Sequence, residues 1–373
     1  MSDEQNPSKF TVAIVAPSLA ILGGQAVQAR RLLDAWENDP EVKAFLVPVN
    51  PAAPAWLRPL ARVKYVRTLI TQLIYLPLLA RELRRADVVH VFSASYWSFL
   101  LAPLPAVAVA RALGRPVMIN YRSGEAPDHL RRSAIARRTL RSVDGNVVPS
   151  QFLKTVFAEH GIDTDIIPNI IDRERFRYRS RQPLRPRLLS TRNFEALYDI
   201  DCTLRAFQVV QRRFPDAELT LVGGGSQESA LRERAAALSL RGVTFAGRVR
   251  QEEIHKYYAA ADIYVQTPRI DNMPSSILEA FASGLPVVST EAGGVPAMLT
   301  HNVHGLLAPL GDADRVAAHV ISLLEDAALT ERLTTAAYAS TDSLVWEHVR
   351  GRWVALYRGL LNPSVMAARE RAV

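Results

Sequence analysis

Residues 262–290 read DIYVQTPRIDNMPSSILEAFASGLPVVST. An apolar strand pattern, DIYVQ (262–266), passes through a polar loop into the helical run ILEAFAS. Gly284 and Pro286 stop that helix and deliver the chain to a second strand, PVVST (286–290). Pro274 and two serines stand where a helix opens, and Gly and Pro stand where one closes. Continuous short apolar strands joined by a helix are the signature of a parallel sheet covered on both faces.

The same alternation extends in both directions. Downstream of position 187 it gives LLST (188–191), a helix over 200–214, ELTLVGGG (218–225), a helix to about Leu240 and VTFAG (243–247). Upstream, FTVAIVAP from Phe10 runs into Gly23-Gly24 and a helix from Gln25. VVHVF (88–92), PVMIN (116–120) and GNVV (145–148) follow as buried strands. Between the two halves lies RERFRYRSRQPLRPR (173–187), whose Arg and Pro content reads as a linker. The fold class is therefore α/β, with two Rossmann-like doubly wound domains facing across a cleft. The expected division is 1–172, linker 173–187 and 188–342, with a closing helix (343–373) that joins the first domain. Trp346, Trp353 and Tyr357 fall on one face of that helix and read as core.

At 373 residues, 49% hydrophobic and 22% charged, the chain suits two globular cores. Its single cysteine, Cys202, forms no internal disulfide framework. No basic-then-apolar leader precedes the first strand, so a cytoplasmic protein is expected. The 23 residues between Asp87 and Arg111 lack charge, but Ser93, Ser95, Ser98, Pro103 and Pro105 interrupt them, which favours a buried strand and core helix over a membrane span. Residues 58–141 hold 15 Lys/Arg against 4 Asp/Glu, more than the net +8 of the whole chain. That face suits anionic lipid or diphosphate, or is simply a solvated basic surface. Nucleic acid is not expected, since no zinc-finger or RRM signature accompanies the charge. The 8 histidines are scattered, so neither a metal nor another cofactor is expected. No phosphate loop of the GxxxxGK type and no GxSxG elbow occurs.

The candidate site gathers at strand C-terminal ends, where open α/β sheets bind ligands. The backbone N–H groups of Ser275, Ser276 and Ile277 open a helix and suit a diphosphate. Arg192, just after LLST, can clamp phosphate oxygens, or lie on the surface. Asp271 and Glu279 can accept hydrogen bonds from sugar hydroxyls. The competing reading makes Ser276-x-x-Glu279 a capping box, which spacing alone favours, and Asp271 an Asx turn. The triple glycine around Gly224 is either a ligand loop or a structural turn. Gly23 and Gly24 fit a close-approach loop in the first half, Arg122 follows PVMIN, and His90 reads as structural.

At these residues the sequence resembles the family 4 glycosyltransferases, retaining enzymes of the GT-B fold. The likeness is strongest over IIPNIIDRERF (166–176), from STRNFEALYDID (190–201) through GLPVVSTEAGGVP (284–296), and over HGLLAPLGD (304–312). It implies transfer of a sugar from a nucleoside diphosphate to an acceptor hydroxyl. Asp271 and Glu279 match the family's paired acids, with roles at the donor sugar and the ribose. Ser275, Ser276, Ile277 and Arg192 would hold the diphosphate, Arg248 and Val249 the nucleobase, and Gly23 and Gly24 the donor phosphate and acceptor. For such a transfer, the basic face of the first half suggests a lipid-linked or otherwise anionic acceptor and peripheral contact with the inner face of the cell membrane, in cell-surface polysaccharide or glycolipid synthesis.

Four positions depart from the family pattern. Asp271 replaces the more usual glutamate, Leu197 a lysine five residues after the phosphate arginine, and Ala297 a glutamate after GGVP. Arg122 stands where many members carry a histidine near the reacting sugar, and is assigned a catalytic role with Asp271 and Glu279. Loss of the lysine keeps alive a second class, a non-catalytic relative that binds nucleotide sugar or membrane. A phosphorylase would need a cofactor lysine, and Lys256 is the only lysine after Lys154.

Overall fold

The computed structural model describes residues 9–18, 24–54, 56, 60 and 63–362. The chain divides into two compact units, Met1–Pro168 with Val349–Val373, and Asn169–His348.

The first unit runs β1 (Phe10–Ala16), α1 (Gly24–Trp36), β2 (Val42–Pro48), α2 (Lys64–Glu82), β3 (Val88–Ser93), α3 (Trp97–Leu101), α4 (Pro103–Ala112), β4 (Val117–Tyr121), α5 (Ala126–Arg132), α6 (Ala134–Ser142), β5 (Gly145–Val148), α7 (Gln151–Ala158) and β6 (Asp165–Ile166). Its six strands are parallel, in the order β2-β1-β3-β4-β5-β6. β3 and β4 are buried along their whole length, as continuous apolar strands inside a doubly covered sheet must be. The uncharged stretch after Asp87 is thus β3, α3 and α4, and no described helix is long and apolar enough to cross a membrane.

The second unit contains β7 (Arg187–Ser190), α8 (Ile200–Arg213), β8 (Glu218–Val222), α9 (Glu228–Ala237), β9 (Val243–Gly247), α10 (Ile254–Ala260), β10 (Ile263–Gln266), α11 (Ser275–Ala282), β11 (Val287–Thr290), α12 (Val295–Met298), β12 (Leu306–Ala308), α13 (Ala313–Glu325) and α14 (Ala327–Ser340). Its parallel order is β12-β11-β10-β7-β8-β9. Counted from β7, this is the doubly wound arrangement in which the connection reverses between the first and fourth strands. The crevice at that switch point lies outside the C-terminal ends of β7 and β10.

Three expectations need correction. The unit boundary falls after Pro168, and residues 173–187 pack into the second unit instead of bridging as a linker. Arg181 shows why: it is buried, and its guanidinium donates to the carbonyls of Ala261 (2.8 Å), Tyr258 (2.9 Å) and Ser283 (2.5 Å). A composition typical of linkers hid an arginine that satisfies orphan carbonyls. Second, the last helix, α15 (Trp346–Leu361), begins after position 343 and joins the first unit only from Val349. There Arg350 forks onto Asp39 (2.6 and 3.1 Å) and reaches Glu41 (2.9 Å). Third, Trp353 and Tyr357 are buried in the first unit, whereas Trp346 is half-buried and belongs to the second.

Candidate donor site

The second unit brings its site together from β7, β10 and α11. Arg192, two residues beyond β7, is almost buried and pairs with Asp271 (2.6 Å), which lies in the loop after β10. Its other terminal nitrogen donates to Ser276 Oγ (3.1 Å), and the guanidinium lies 4.1 Å over the Tyr198 ring. Arg192 Nε is buried with no protein acceptor. Burial disfavours a charged guanidinium, but the Asp271 carboxylate overrides it and raises the Arg192 pKa above the ordinary arginine value. Burial likewise pushes the Asp271 carboxyl up, opposed by Arg192 and by the Asn272 N–H on Oδ1 (2.9 Å). The arginine is therefore no surface residue, and its charge is compensated within the fold.

Glu279 is buried on α11 and accepts a hydrogen bond from the Tyr258 hydroxyl (2.8 Å). Tyr258 also meets Thr191 Oγ1 (2.7 Å), and burial holds its phenol far above the usual value, so it remains a neutral donor. The capping-box reading fails. α11 begins at Ser275 with Pro274 as its cap, no side chain caps it, and Glu279 lies two residues beyond the third helical position from which a capping glutamate reaches back. The Ile277 N–H already donates to the Pro274 carbonyl (3.2 Å), so it is not a spare donor for an anion. Ser276 Oγ donates to Gln266 (3.1 Å), whose amide reaches Ser289 (3.2 Å), fixing the helix entrance on β10 and β11.

The loops are zipped together by hydrogen bonds to backbone carbonyls. Arg269 N–H donates to the Leu197 carbonyl (2.8 Å), and Thr267 Oγ1 to the Asp199 carbonyl (2.7 Å). The triple glycine has a packing reason. A Cβ at Gly223 would collide with the Arg192 carbonyl, and one at Gly225 with the Phe194 carbonyl. Arg248 covers Gly224, its Nε 3.0 Å from where a Cβ would sit, while Val249 packs on the core beneath. Gly284, at φ +70°, closes α11 against the Tyr178 ring.

In the first unit, Arg122 donates to Asn120 Oδ1 (3.1 Å) and lies 5.4 Å from the Phe92 ring centroid. Its Nη2 is buried with no acceptor, and burial lowers its pKa to about 9, still cationic at neutral pH. His90 is held between Tyr357 (2.7 Å) and Asn120 (3.0 Å), and burial, then Arg122, pushes it down to about 3. It is a neutral core histidine. Gly24 opens α1, and a Cβ there would meet nothing within 4 Å, so the folded chain itself does not demand glycine. Gly23 lies outside the described residues.

Sequence reading missed Tyr198, Tyr258, Thr191 and Gln266. Tyr258 and Thr191 act through partners distant in sequence, Tyr258 on Glu279 for one, and none of the four carries a local motif.

Comparison with known proteins places the chain among glycosyltransferases. The family model described as Glycosyl transferases group 1 matches residues 172–340, and Glycosyltransferase Family 4 matches 22–175. The amylovoran biosynthesis glycosyltransferase AmsK of Erwinia amylovora is 32% identical over 50% of this chain and 48% of its own length. The GDP-mannose-dependent alpha-(1-6)-phosphatidylinositol monomannoside mannosyltransferase of Mycobacterium tuberculosis is 29% identical over 67% and 64%. The matched stretches thus span about half to two thirds of these relatives. Among solved structures, the sucrose-phosphate synthase of Thermosynechococcus elongatus superposes with a TM-score of 0.77 at 20% identity, covering 94% of this chain and 99% of that one. Anabaena HepE in complex with UDP-glucose gives 0.72 at 17%, covering 94% and 100%. The two family models together run from residue 22 to residue 340, and the chain belongs to the family 4 glycosyltransferases, with the GT-B fold.

Proposed function

We propose that the protein transfers a sugar from a nucleoside-diphosphate donor to an acceptor hydroxyl, with retention at the anomeric carbon, in the synthesis of a cell-surface polysaccharide or glycolipid. The observation that carries this reading is the convergence of Arg192, Asp271 and Ser276 at the switch point between β7 and β10, with Glu279 one helical turn beyond. A cation, a helix entrance and two carboxylates in that crevice suit a diphosphate flanked by hydroxyl-bearing groups. Named relatives in amylovoran and phosphatidylinositol mannoside synthesis support the acceptor class.

In this reaction the bond from the anomeric carbon to the diphosphate oxygen breaks and a bond to the acceptor oxygen forms on the same face. The acceptor proton passes to the departing phosphate. Arg192 and the N–H groups at the start of α11 stabilise the charge that develops on the leaving group. Asp271 orients the donor sugar and Glu279 the ribose, with Tyr258 fixing the rotamer of Glu279. Arg248 and Val249 pack the base beside Gly224. Gly24 leaves room for substrate in the first unit. Arg122, cationic and short of one acceptor, binds an anionic group of the substrate. No metal takes part. The acceptor is lipid-linked or otherwise anionic, and the basic residues of 58–141 hold the protein peripherally on an anionic membrane surface at the cytoplasmic side.

The test is product analysis: purified protein with UDP-, GDP- and ADP-sugars in chelator, reading nucleoside diphosphate release and the anomeric configuration of the product by NMR. Release with a retained anomer, lost in Glu279→Ala, supports the reading. An inverted anomer removes the retaining mechanism, and binding without transfer to any acceptor makes the protein a non-catalytic nucleotide-sugar binder.

A further inference from the structure

Helix α2 has two apolar faces, and the fold uses only one. Inward, Tyr75 and Leu79 are buried, Gln72 Nε2 donates to the Leu101 carbonyl (2.9 Å) and the Tyr75 hydroxyl to that of Ala102 (3.1 Å). Outward stand Tyr65, Leu69, Leu73 and Leu76, exposed by 82%, 61%, 65% and 44%. Their spacing of four, four and three residues places them on one stripe, and Val66 borders it. Of 14 exposed large apolar residues among those described, 8 fall between Trp56 and Leu76, so the patch is a local feature and not the scatter expected of any surface.

Its charge setting is one-sided. Residues 64–85 contain five basic residues and one acid, Glu82, and Arg81 (3.1 Å) and Arg85 (3.1 Å) both bind that acid. Arg67, Arg81, Arg84 and Arg85 are exposed, and no charge interrupts the stripe. An uncovered apolar stripe flanked by arginines matches the boundary of an anionic bilayer, where acyl chains meet phosphate headgroups. A second copy of the same helix would meet it with like charge. No described helix is long and apolar enough to span, so the match is to a helix lying in the plane of the interface.

We infer that α2 is a membrane-docking helix, inserting Tyr65, Leu69, Leu73 and Leu76 into the headgroup boundary of an anionic bilayer. This deepens the peripheral-contact reading above and rests on it, replacing a diffuse basic face by one helix that inserts. Vesicle binding needs no donor, so the test is independent of glycosyl transfer.

The experiment is co-sedimentation of the full chain with phosphatidylglycerol–phosphatidylcholine vesicles and with phosphatidylcholine alone. Wild-type protein binds the anionic vesicles preferentially. Leu69→Asp with Leu73→Asp lowers partitioning about a hundredfold, near tenfold for each buried leucine, at unchanged Tm because both are exposed. Ile135→Asp, equally exposed on α6, binds as wild type. If the double variant sediments like wild type, insertion by α2 is wrong while a purely electrostatic contact stands. If wild-type protein ignores anionic vesicles at low salt, both readings fall. Self-association by sedimentation velocity that the double variant abolishes would assign the stripe to a second copy and overturn the inference.

Discussion

Arg192 and Arg122 are both partly buried arginines just beyond a central strand, one in each unit, and the protein treats them in opposite ways. Arg192 has a carboxylate at 2.6 Å, a serine hydroxyl and an aromatic face. Arg122 has one amide oxygen and a buried N–H without acceptor, and burial drags its pKa down to about 9. Charge in a low-dielectric setting is costly unless paired. The second unit has therefore settled its cation within the fold, while the first carries an uncompensated one. The proposed function supplies that arginine with an anion that arrives with substrate.

The difference can be broken most forcefully at Arg192. Arg192→Met strands Asp271 as a buried, unpaired carboxylate and should destabilise the protein by about 3–5 kcal/mol in urea unfolding. Arg122→Met removes a charge that has no carboxylate partner, so stability should be unchanged or rise by about 1–4 kcal/mol. Equal losses would erase the distinction between the two.

The neighbour of Arg122 gives the next largest effect. His90 is neutral in the fold down to about pH 3, whereas an unfolded histidine takes its proton near 6.5. Its depressed pKa contributes stability that is present above pH 6.5 and lost as pH falls towards 3, about 3 kcal/mol by pH 4. The stability gap between wild type and His90→Gln should shrink by that amount between pH 7 and pH 4. Parallel curves would mean that His90 is not held neutral.

Catalysis sharpens the comparison further. Arg122→Ala should lower turnover about a hundredfold, the scale of losing one preorganised charge donor, with Tm barely moved. Unchanged kinetics would remove Arg122 from the site. The smallest effect is expected at Tyr258→Phe, which deletes one hydrogen bond to Glu279 and should weaken donor affinity by roughly 1 kcal/mol. A wild-type affinity would show that Glu279 is positioned without it.

The alternation of strands and helices is readable because β3, β4 and β10 are fully buried and appear as short, mostly apolar runs without a carboxylate, lysine or arginine. β2, with a mixed burial pattern, and the two- and three-residue strands β6 and β12 leave no such mark. Arg192, Asp271 and Glu279 were named from local chemistry, but their pairing was not, because Arg192 and Asp271 are 79 residues apart. The capping box misled because Ser276-x-x-Glu279 has the right spacing at the wrong depth. Pro274 starts the helix earlier than the motif supposes. The linker misled for the same kind of reason: an arginine that seeks carbonyls has the composition of one that seeks water.

The central claim is that the second unit binds the donor nucleotide through Arg192 and Glu279. Isothermal titration of the purified chain with UDP, GDP and ADP, in chelator, tests it most directly. The account predicts that one of the three binds, and that Glu279→Ala and Arg192→Ala each abolish the signal while Arg122→Ala leaves measurable binding. A nucleotide that binds both second-unit variants as tightly as wild type would contradict it.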